Sequence, residues 1–215
     1  MKVLLGSGIT PGLLALLEAE ELSDTTALDV GCGTGRLAQL LATRCRHVIG
    51  VDRDEEAIRE GRTRAAALGL SNVEFFVADV EAVEYDDWHP GLVGAHLCMS
   101  DAIIERASRA LAPGQLLAFV CFHADHWRET GVLSRYAYDE TRLRSVLTAN
   151  GFTVEHLEVE QEICQFSSVH EAVASVAGLQ AKWEGRGRWR RYLEFLEGGG
   201  RTLTRSRLVV AARRG

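Results

Sequence analysis

No run of apolar residues in this 215-residue sequence approaches the roughly 18 needed to cross a bilayer, which argues against a helical membrane span. The opening segment holds only Lys2 as a basic residue and a short apolar run, Val3 to Leu5, before Gly6. That is too little for a secretory signal, so the chain is expected to be cytoplasmic, with no membrane partner. Cysteine is sparse and scattered: Cys32, Cys45, Cys98, Cys121 and Cys164 form no C-x-x-C pair, and the histidines do not cluster. This argues against a disulfide framework and a zinc site, and no metal is expected. The thiols are expected to be reduced and to serve as small core residues. Lysine is scarcer still, since Lys2 and Lys182 stand alone among 24 basic residues. Internal repeats and low-complexity tracts are absent, so no domain boundary presents itself.

What is present is ordinary for a water-soluble globular chain: 47% apolar and 25% charged residues. The length suits one domain over residues 1–215, with a helical lead-in over 1–24. The net charge of −6 is unevenly spread. From Lys182 to Gly215 there are ten basic and three acidic residues, a net +7 that leaves −13 for the remainder.

Short apolar runs alternate with longer amphipathic ones, the pattern of βαβ units around a parallel sheet. Strands are expected at Ala27–Val30, His47–Val51, Asn72–Val77, Leu92–Met99, Gln115–Phe122, Phe152–Glu160 and Arg207–Ala212. Between them, helical spacing of apolar residues predicts helices over Arg36–Arg44, Glu55–Leu68, Asp101–Leu111 and from Asp139 to Asn150. Two more helical stretches are expected between Ser167 and Glu197. The fold class is therefore α/β: a Rossmann-like, doubly wound, seven-stranded sheet.

The sharpest feature is Asp29-Val-Gly31-Cys-Gly33-Thr-Gly35, set between the first strand and its helix. Glycines there let the backbone turn tightly and bring its N–H groups against a ligand. A dinucleotide site uses G-x-G-x-x-G, and Arg36 occupies the position of its third glycine. A pyrophosphate is thus not the obvious occupant. Asp52 ends the second strand, where a carboxylate can accept from both hydroxyls of a ribose. Asp79 ends the third, where it can accept from an adenine amine while the Val80 N–H donates to the ring. Three such groups at adjacent strand ends face one crevice.

Ala27-Leu-Asp-Val-Gly-Cys-Gly-Thr-Gly-Arg36, Val51-Asp52 and Ala78-Asp79 together resemble the class I S-adenosylmethionine-dependent methyltransferases. Leu111-Ala-Pro-Gly-Gln-Leu-Leu117 resembles that family's L-x-P-G-G turn, and Ala149-Asn-Gly-Phe152 is similar to its A-G-F entry to the sixth strand. Gly91, where many members have aspartate, and Gln115, in place of a glycine, depart from the pattern without touching the cofactor contacts. The resemblance spans about Thr25 to Glu160 and implies an antiparallel last strand at Leu208–Ala212. It implies S-adenosylmethionine as cofactor and S-adenosylhomocysteine as product. Gly31, Gly33 and Gly35 would lie beside the methionine part, Asp29 would hold its ammonium, Asp52 the ribose, and Asp79 with Val80 the adenine. Leu97, in the fourth-strand segment Ala95–Ser100, would lie against the methionine moiety.

Direct in-line transfer needs alignment more than acid–base chemistry, because the leaving group is a neutral thioether. Where a base is needed, His123 directly after the fifth strand is the first candidate, with His96 and His126 behind it. Trp127, Tyr136 and Tyr138 are expected to wall the acceptor pocket. Residues 165–205 form a helical insertion before the last strand, long enough to be a lid or a partner surface. Within 182–207, aromatic and basic residues interleave. They either grip RNA or protein, or belong to an amphipathic helix with its aromatics inward and its arginines solvated. The acidic balance of the chain favours the second reading, and no Asn-Pro-Pro-Tyr run marks a nucleobase-amine methyltransferase. The expected acceptor is a small molecule, with nucleic acid disfavoured. A monomer and a homodimer both suit the sequence, and a catalytically silent cofactor-binding module is the remaining alternative.

Overall fold

The computed structural model describes residues 8–215, so the opening seven residues of the expected lead-in lie outside the described residues. The lead-in contains helix α1 (Pro11–Glu18), which starts on a proline whose missing N–H costs nothing at a helix start. Then follow β1 (Thr26–Val30), α2 (Arg36–Ala42), β2 (His47–Asp52), α3 (Glu55–Ala67), β3 (Val73–Val77), β4 (Leu92–His96), α4 (Asp101–Ala110) and β5 (Leu116–His123). The chain continues with β6 (Ala137–Tyr138), α5 (Glu140–Ala149), β7 (Phe152–Gln165), α6 (Val169–Ser175), α7 (Gln180–Glu184), α8 (Arg188–Glu197) and β8 (Thr202–Arg214).

The described chain gathers into two compact units. The first comprises residues up to Cys121, Glu140–Glu158 and Val209–Gly215; the second comprises Phe122–Asp139 and Val159–Leu208. The sequence reading treats the chain as one domain with an insertion over 165–205. That segment falls in a unit that also takes residues 122–139 and 159–164.

In the first unit the strand order is β3-β2-β1-β4-β5-β8-β7, with β1 parallel to β2 and β4, β2 parallel to β3, and β4 parallel to β5. The parallel strands are flanked by helices, so β1, β2, β4 and β5 are buried along nearly their whole length, which is why they read as continuous apolar runs. Arg214 N–H donates to the Gln115 carbonyl and Gly215 N–H to the Gly151 carbonyl. The end of β8 thus lies beside the starts of β5 and β7, which makes β8 the antiparallel member. Leu13 and Leu17 of α1, Leu37 and Leu41 of α2, and Val48, Val120 and Val209 share one core.

Caps explain where the helices begin. Asp54 accepts from the Ala57 N–H at the start of α3, with Glu55 and Glu56 in its first turn, and Ser100 accepts from the Ile103 N–H at the start of α4. Arg213 pairs with Glu20 and Glu155, tying the last strand to α1's exit and to β7.

The sheet has eight strands rather than the expected seven. The eighth, β6, lies in the second unit and pairs with β5 through Phe122 and His123. Two residues carry too little periodicity to be read as a strand. The second unit has its own core of Ala172, Val176, Trp183, Tyr192, Leu196 and Leu203, against which Trp127, Trp189 and Phe195 pack. Three helices, α6 to α8, stand where two stretches were expected. Glu129 pins the 127–131 turn to β8: the Thr204 N–H donates to it at 2.9 Å and the Thr204 hydroxyl at 2.6 Å.

Candidate functional site

The turn from β1 to α2 is laced to the neighbouring strand, for the N–H groups of Gly31 and Cys32 both donate to the Val51 carbonyl, at 2.8 and 3.0 Å. Gly31, Gly33 and Gly35 take φ of +67°, +52° and +77°, backbone that disfavours any side chain. They are glycine for different reasons. A Cβ on Gly31 would lie 2.2 Å from the Cys98 sulfur, and one on Gly35 would lie 2.6 Å from the Phe75 ring. A Cβ on Gly33 would meet nothing within 4 Å. Packing therefore demands two of the glycines, and the third faces open space.

Asp52 stands over that space. Its carboxylate accepts from the Gly33 N–H at 2.8 Å and from the Asp54 N–H at 2.9 Å, so its orientation is set by the backbone on both sides. At the end of β3, Asp79 is exposed and accepts from the Glu81 N–H at 2.9 Å. Val80 is buried, and its carbonyl accepts from the Tyr85 hydroxyl at 2.6 Å. Beyond the end of β4, Leu97 takes φ +64°, held there by its N–H donating to the Val120 carbonyl at 2.8 Å. A leucine in left-handed backbone is strained, and such strain clusters at ligand sites. That reversal also explains why β4 stops at His96 rather than at the expected Met99.

Asp29 is 1% exposed and accepts from the Ala38 N–H at 2.8 Å, which satisfies a first-turn donor of α2. Burial pushes its carboxyl up to about 8, and the nearby charge of Asp52 adds to the rise. Two carboxyls close enough to repel each other suit a cationic guest. The residues present therefore fit an adenosyl sulfonium: open space at Gly33, an anchored carboxylate at Asp52, and polar groups after β2 and β3.

His96, also in this unit, has its Nε2 accepting from the Thr10 N–H at 3.2 Å, with the Thr10 hydroxyl 3.0 Å away. It anchors the entry to α1. The remaining candidates lie in the second unit. His123 is buried, and its Nδ1 accepts from the Asp125 N–H at 3.2 Å and lies 2.9 Å from the Ser206 hydroxyl. His126 contacts Ser206 through Nδ1, and burial lowers its imidazole to about 4, so it is neutral at physiological pH. Trp127 is half-buried among His126, Phe122 and Trp183. Tyr136 lies under the Arg135 guanidinium, 4.3 Å from ring centre to Cζ. Tyr138 was expected on a pocket wall; at 2% exposure it is a core residue, held there by the pairing of β6 with β5. Within 182–207, Trp183 and Tyr192 are core residues, whereas Lys182, Arg186, Arg190 and Arg191 are exposed.

Cys98 and Phe75, which shape the glycine turn, escaped the sequence reading because Phe75 meets it from β3 and Cys98 from the segment after β4, both far from it in the chain. Among the described residues, no group of histidine, cysteine or acidic side chains could hold a metal ion, and no helix is long and apolar enough to cross a membrane.

A family model described as a methyltransferase domain matches residues 21–195. The structure is similar to that of the YcgJ protein from Bacillus subtilis, with a TM-score of 0.73 and 14% identity over 94% of this chain and 97% of that one. An S-adenosylmethionine dependent methyltransferase from Mesorhizobium loti has a TM-score of 0.63 and 19% identity, covering 95% and 96% of the two chains. These likenesses establish the fold. By sequence, a tRNA (uracil-5-)-methyltransferase homolog A of Mus musculus is 41% identical over 69 residues, 32% of this chain and 10% of that protein. A 23S rRNA (uracil(1939)-C(5))-methyltransferase of Klebsiella pneumoniae is 33% identical over 127 residues, 54% of this chain and 28% of that one. The chain thus spans less than a third of the length of these curated relatives. Their names correct the expectation that set nucleic acid aside in favour of a small-molecule acceptor. That expectation rested on net charge and a missing motif, neither of which describes how an acceptor is bound. With S-adenosylmethionine as its cofactor, the chain belongs to the methyltransferase domain family, as a class I S-adenosylmethionine-dependent methyltransferase.

Proposed function

We propose that this methyltransferase acts on RNA, with its cofactor held by Asp29, Gly31, Gly33, Gly35, Asp52, Asp79, Val80 and Leu97. The RNA reading is carried by the names of the curated relatives, which match 32% and 54% of this chain. The exposed cations Lys182, Arg186, Arg190 and Arg191 support it, since phosphate contacts need charge and not sequence-specific pockets. Stacking by Trp183 and Tyr192 is not part of the reading, because both are core residues.

When bound, the cofactor supplies a methyl group on a cationic sulfur whose leaving group is a neutral thioether. The chain's own contribution is placement. Asp52, fixed by the Gly33 and Asp54 N–H groups, orients the ribose. Asp79 and the Val80 N–H select the adenine. The open space at Gly33 admits the methionine part, and Asp29 meets its ammonium. Alignment of this kind contributes about 7–11 kcal/mol to such reactions. His123 is the residue assigned to the acceptor. His123→Ala is therefore expected to slow transfer to the true acceptor.

The test is transfer of labelled methyl from S-adenosylmethionine to unmodified tRNA and rRNA transcripts, to a protein extract and to a metabolite extract. Label that nuclease releases supports the reading. Label confined to protein or metabolites, from a chain that binds the cofactor, overturns the RNA assignment and leaves the family assignment standing.

A further inference from the structure

The interior of the second unit holds buried nitrogen atoms that meet no hydrogen-bond partner. Arg188 opens α8 and is 3% exposed. Its Nη2 donates to the Val132 carbonyl at 3.1 Å, its Cζ lies 5.7 Å from the centre of the Trp127 ring, and its buried Nε meets no partner. No carboxylate of the described residues lies within 4.0 Å of the guanidinium. The buried acid of the same unit, Glu129, is occupied by Thr204 and lies 4.0 Å from Arg128. Trp183, fully buried, has an indole N–H without an acceptor, and its ring centre is 4.8 Å from that of Trp127. The third such atom is Nε2 of His126, whose ring centre is 4.4 Å from Trp127.

Three segments of chain thus bring unmatched nitrogen atoms to one half-buried indole. Buried polar groups are nearly always paired, and a cluster of exceptions calls for a cause. A buried guanidinium with no counter-charge is unfavourable unless something negative joins it. The start of α8 adds to the imbalance: its N-cap is Gly187, which offers no side-chain acceptor, and its first turn carries Arg188, Arg190 and Arg191 but no acid. That is the wrong sign for the positive end of a helix, and the right one for an anion site. Burial lowers the His126 imidazole most, and the charges of Arg207, Arg188 and Arg205 also oppose its protonation.

We propose that this interior is a subsite for one oxyanionic group, carboxylate or phosphate, which accepts from the Arg188 Nε–H and the Trp183 indole N–H against the Trp127 ring. The proposal stands apart from the RNA reading, because either anion would satisfy the same donors.

The test follows tryptophan fluorescence and melting of the full chain during titration with inorganic phosphate and, separately, with acetate, at ionic strength matched by sodium chloride. A saturable response is expected, with melting raised by about 2–4 °C. Exclusion of phosphate from the surface also raises melting, but without saturation and equally in every variant. A response to phosphate alone, to acetate alone or to both supports the subsite and identifies the anion it prefers. In Arg188→Met the saturable response should vanish, while melting in chloride is no lower than in the parent. In Trp183→Phe, which keeps an aromatic ring and loses the N–H, the apparent affinity should fall at least about threefold. The proposal is overturned if the parent shows no saturable response to either anion, or if either variant keeps the parent's affinity.

Discussion

Asp29 lies in β1 at 1% exposure, and its side chain accepts from the Ala38 N–H at 2.8 Å. Its place at the end of β1 is visible in the apolar residues around it, and the glycines that follow mark the turn. Its protonation state is not visible there. Burial and the neighbouring Asp52 push its carboxyl up to about 8, so the folded protein keeps a proton that the unfolded chain releases near 4. Folding stability from this residue is therefore fully present below about pH 4 and declines as pH rises towards about 8. The substitution Asp29→Asn would keep an oxygen for the Ala38 N–H but remove the ionisable group. Urea titrations from pH 4 to 8 should show this variant gaining on the parent as pH rises. A constant difference across that window would mean the carboxyl ionises freely. His126 has the opposite sign: lowered to about 4, it removes stability as pH falls from about 6.5, because the unfolded chain then takes up a proton the folded chain refuses.

Among the elements, the turn between β1 and α2 separates folding from binding. Its three glycines look equivalent in the sequence. In the structure Gly31 backs onto Cys98 and Gly35 onto Phe75, whose ring also fills the space beside Gly50 and Gly61. Only at Gly33 does the Cβ direction lead into open space. Gly33→Ala should therefore cost stability only through its positive φ, about 1–2 kcal/mol, and leave the fold intact by circular dichroism. Calorimetry should find S-adenosylmethionine binding weakened at least about tenfold, because the new methyl group occupies that space. Unchanged affinity would remove Gly33 from the site. Gly31→Ala is expected to fail earlier, at folding, since its Cβ would meet the Cys98 sulfur at 2.2 Å.

At the scale of the whole molecule, the chain builds two compact units from interleaved segments, with β5, β7 and β8 each contributing residues to both. The second unit depends on a small aromatic core: Trp183 is edge-on to Trp127 and perpendicular to Tyr192, which stacks on Phe195. Trp183→Ala should remove about 3–5 kcal/mol from that core. Hydrogen exchange should then accelerate at the Trp127 and Thr204 amides of the second unit. No acceleration there would mean that the core does not depend on this indole. The segment 182–207 could not be resolved by pattern alone. Aromatics and arginines at helical spacing suit both a nucleic-acid grip and a buried seam, and only the fold shows which residues face inward.

The sequence by itself determined the parallel α/β sheet, the glycine turn, and the carboxylates Asp52 and Asp79 at strand ends. Each of these follows from local periodicity and from chain geometry over a few residues. Tertiary structure alone decided that Cys98 and Phe75 dictate two of the glycines, that Leu97 is held in left-handed backbone, and that Asp29 keeps its proton. It also decided that Arg188 lies buried beside Trp127 without a counter-charge. Those properties depend on contacts between residues far apart in the chain and on exclusion of water, and no local pattern encodes either.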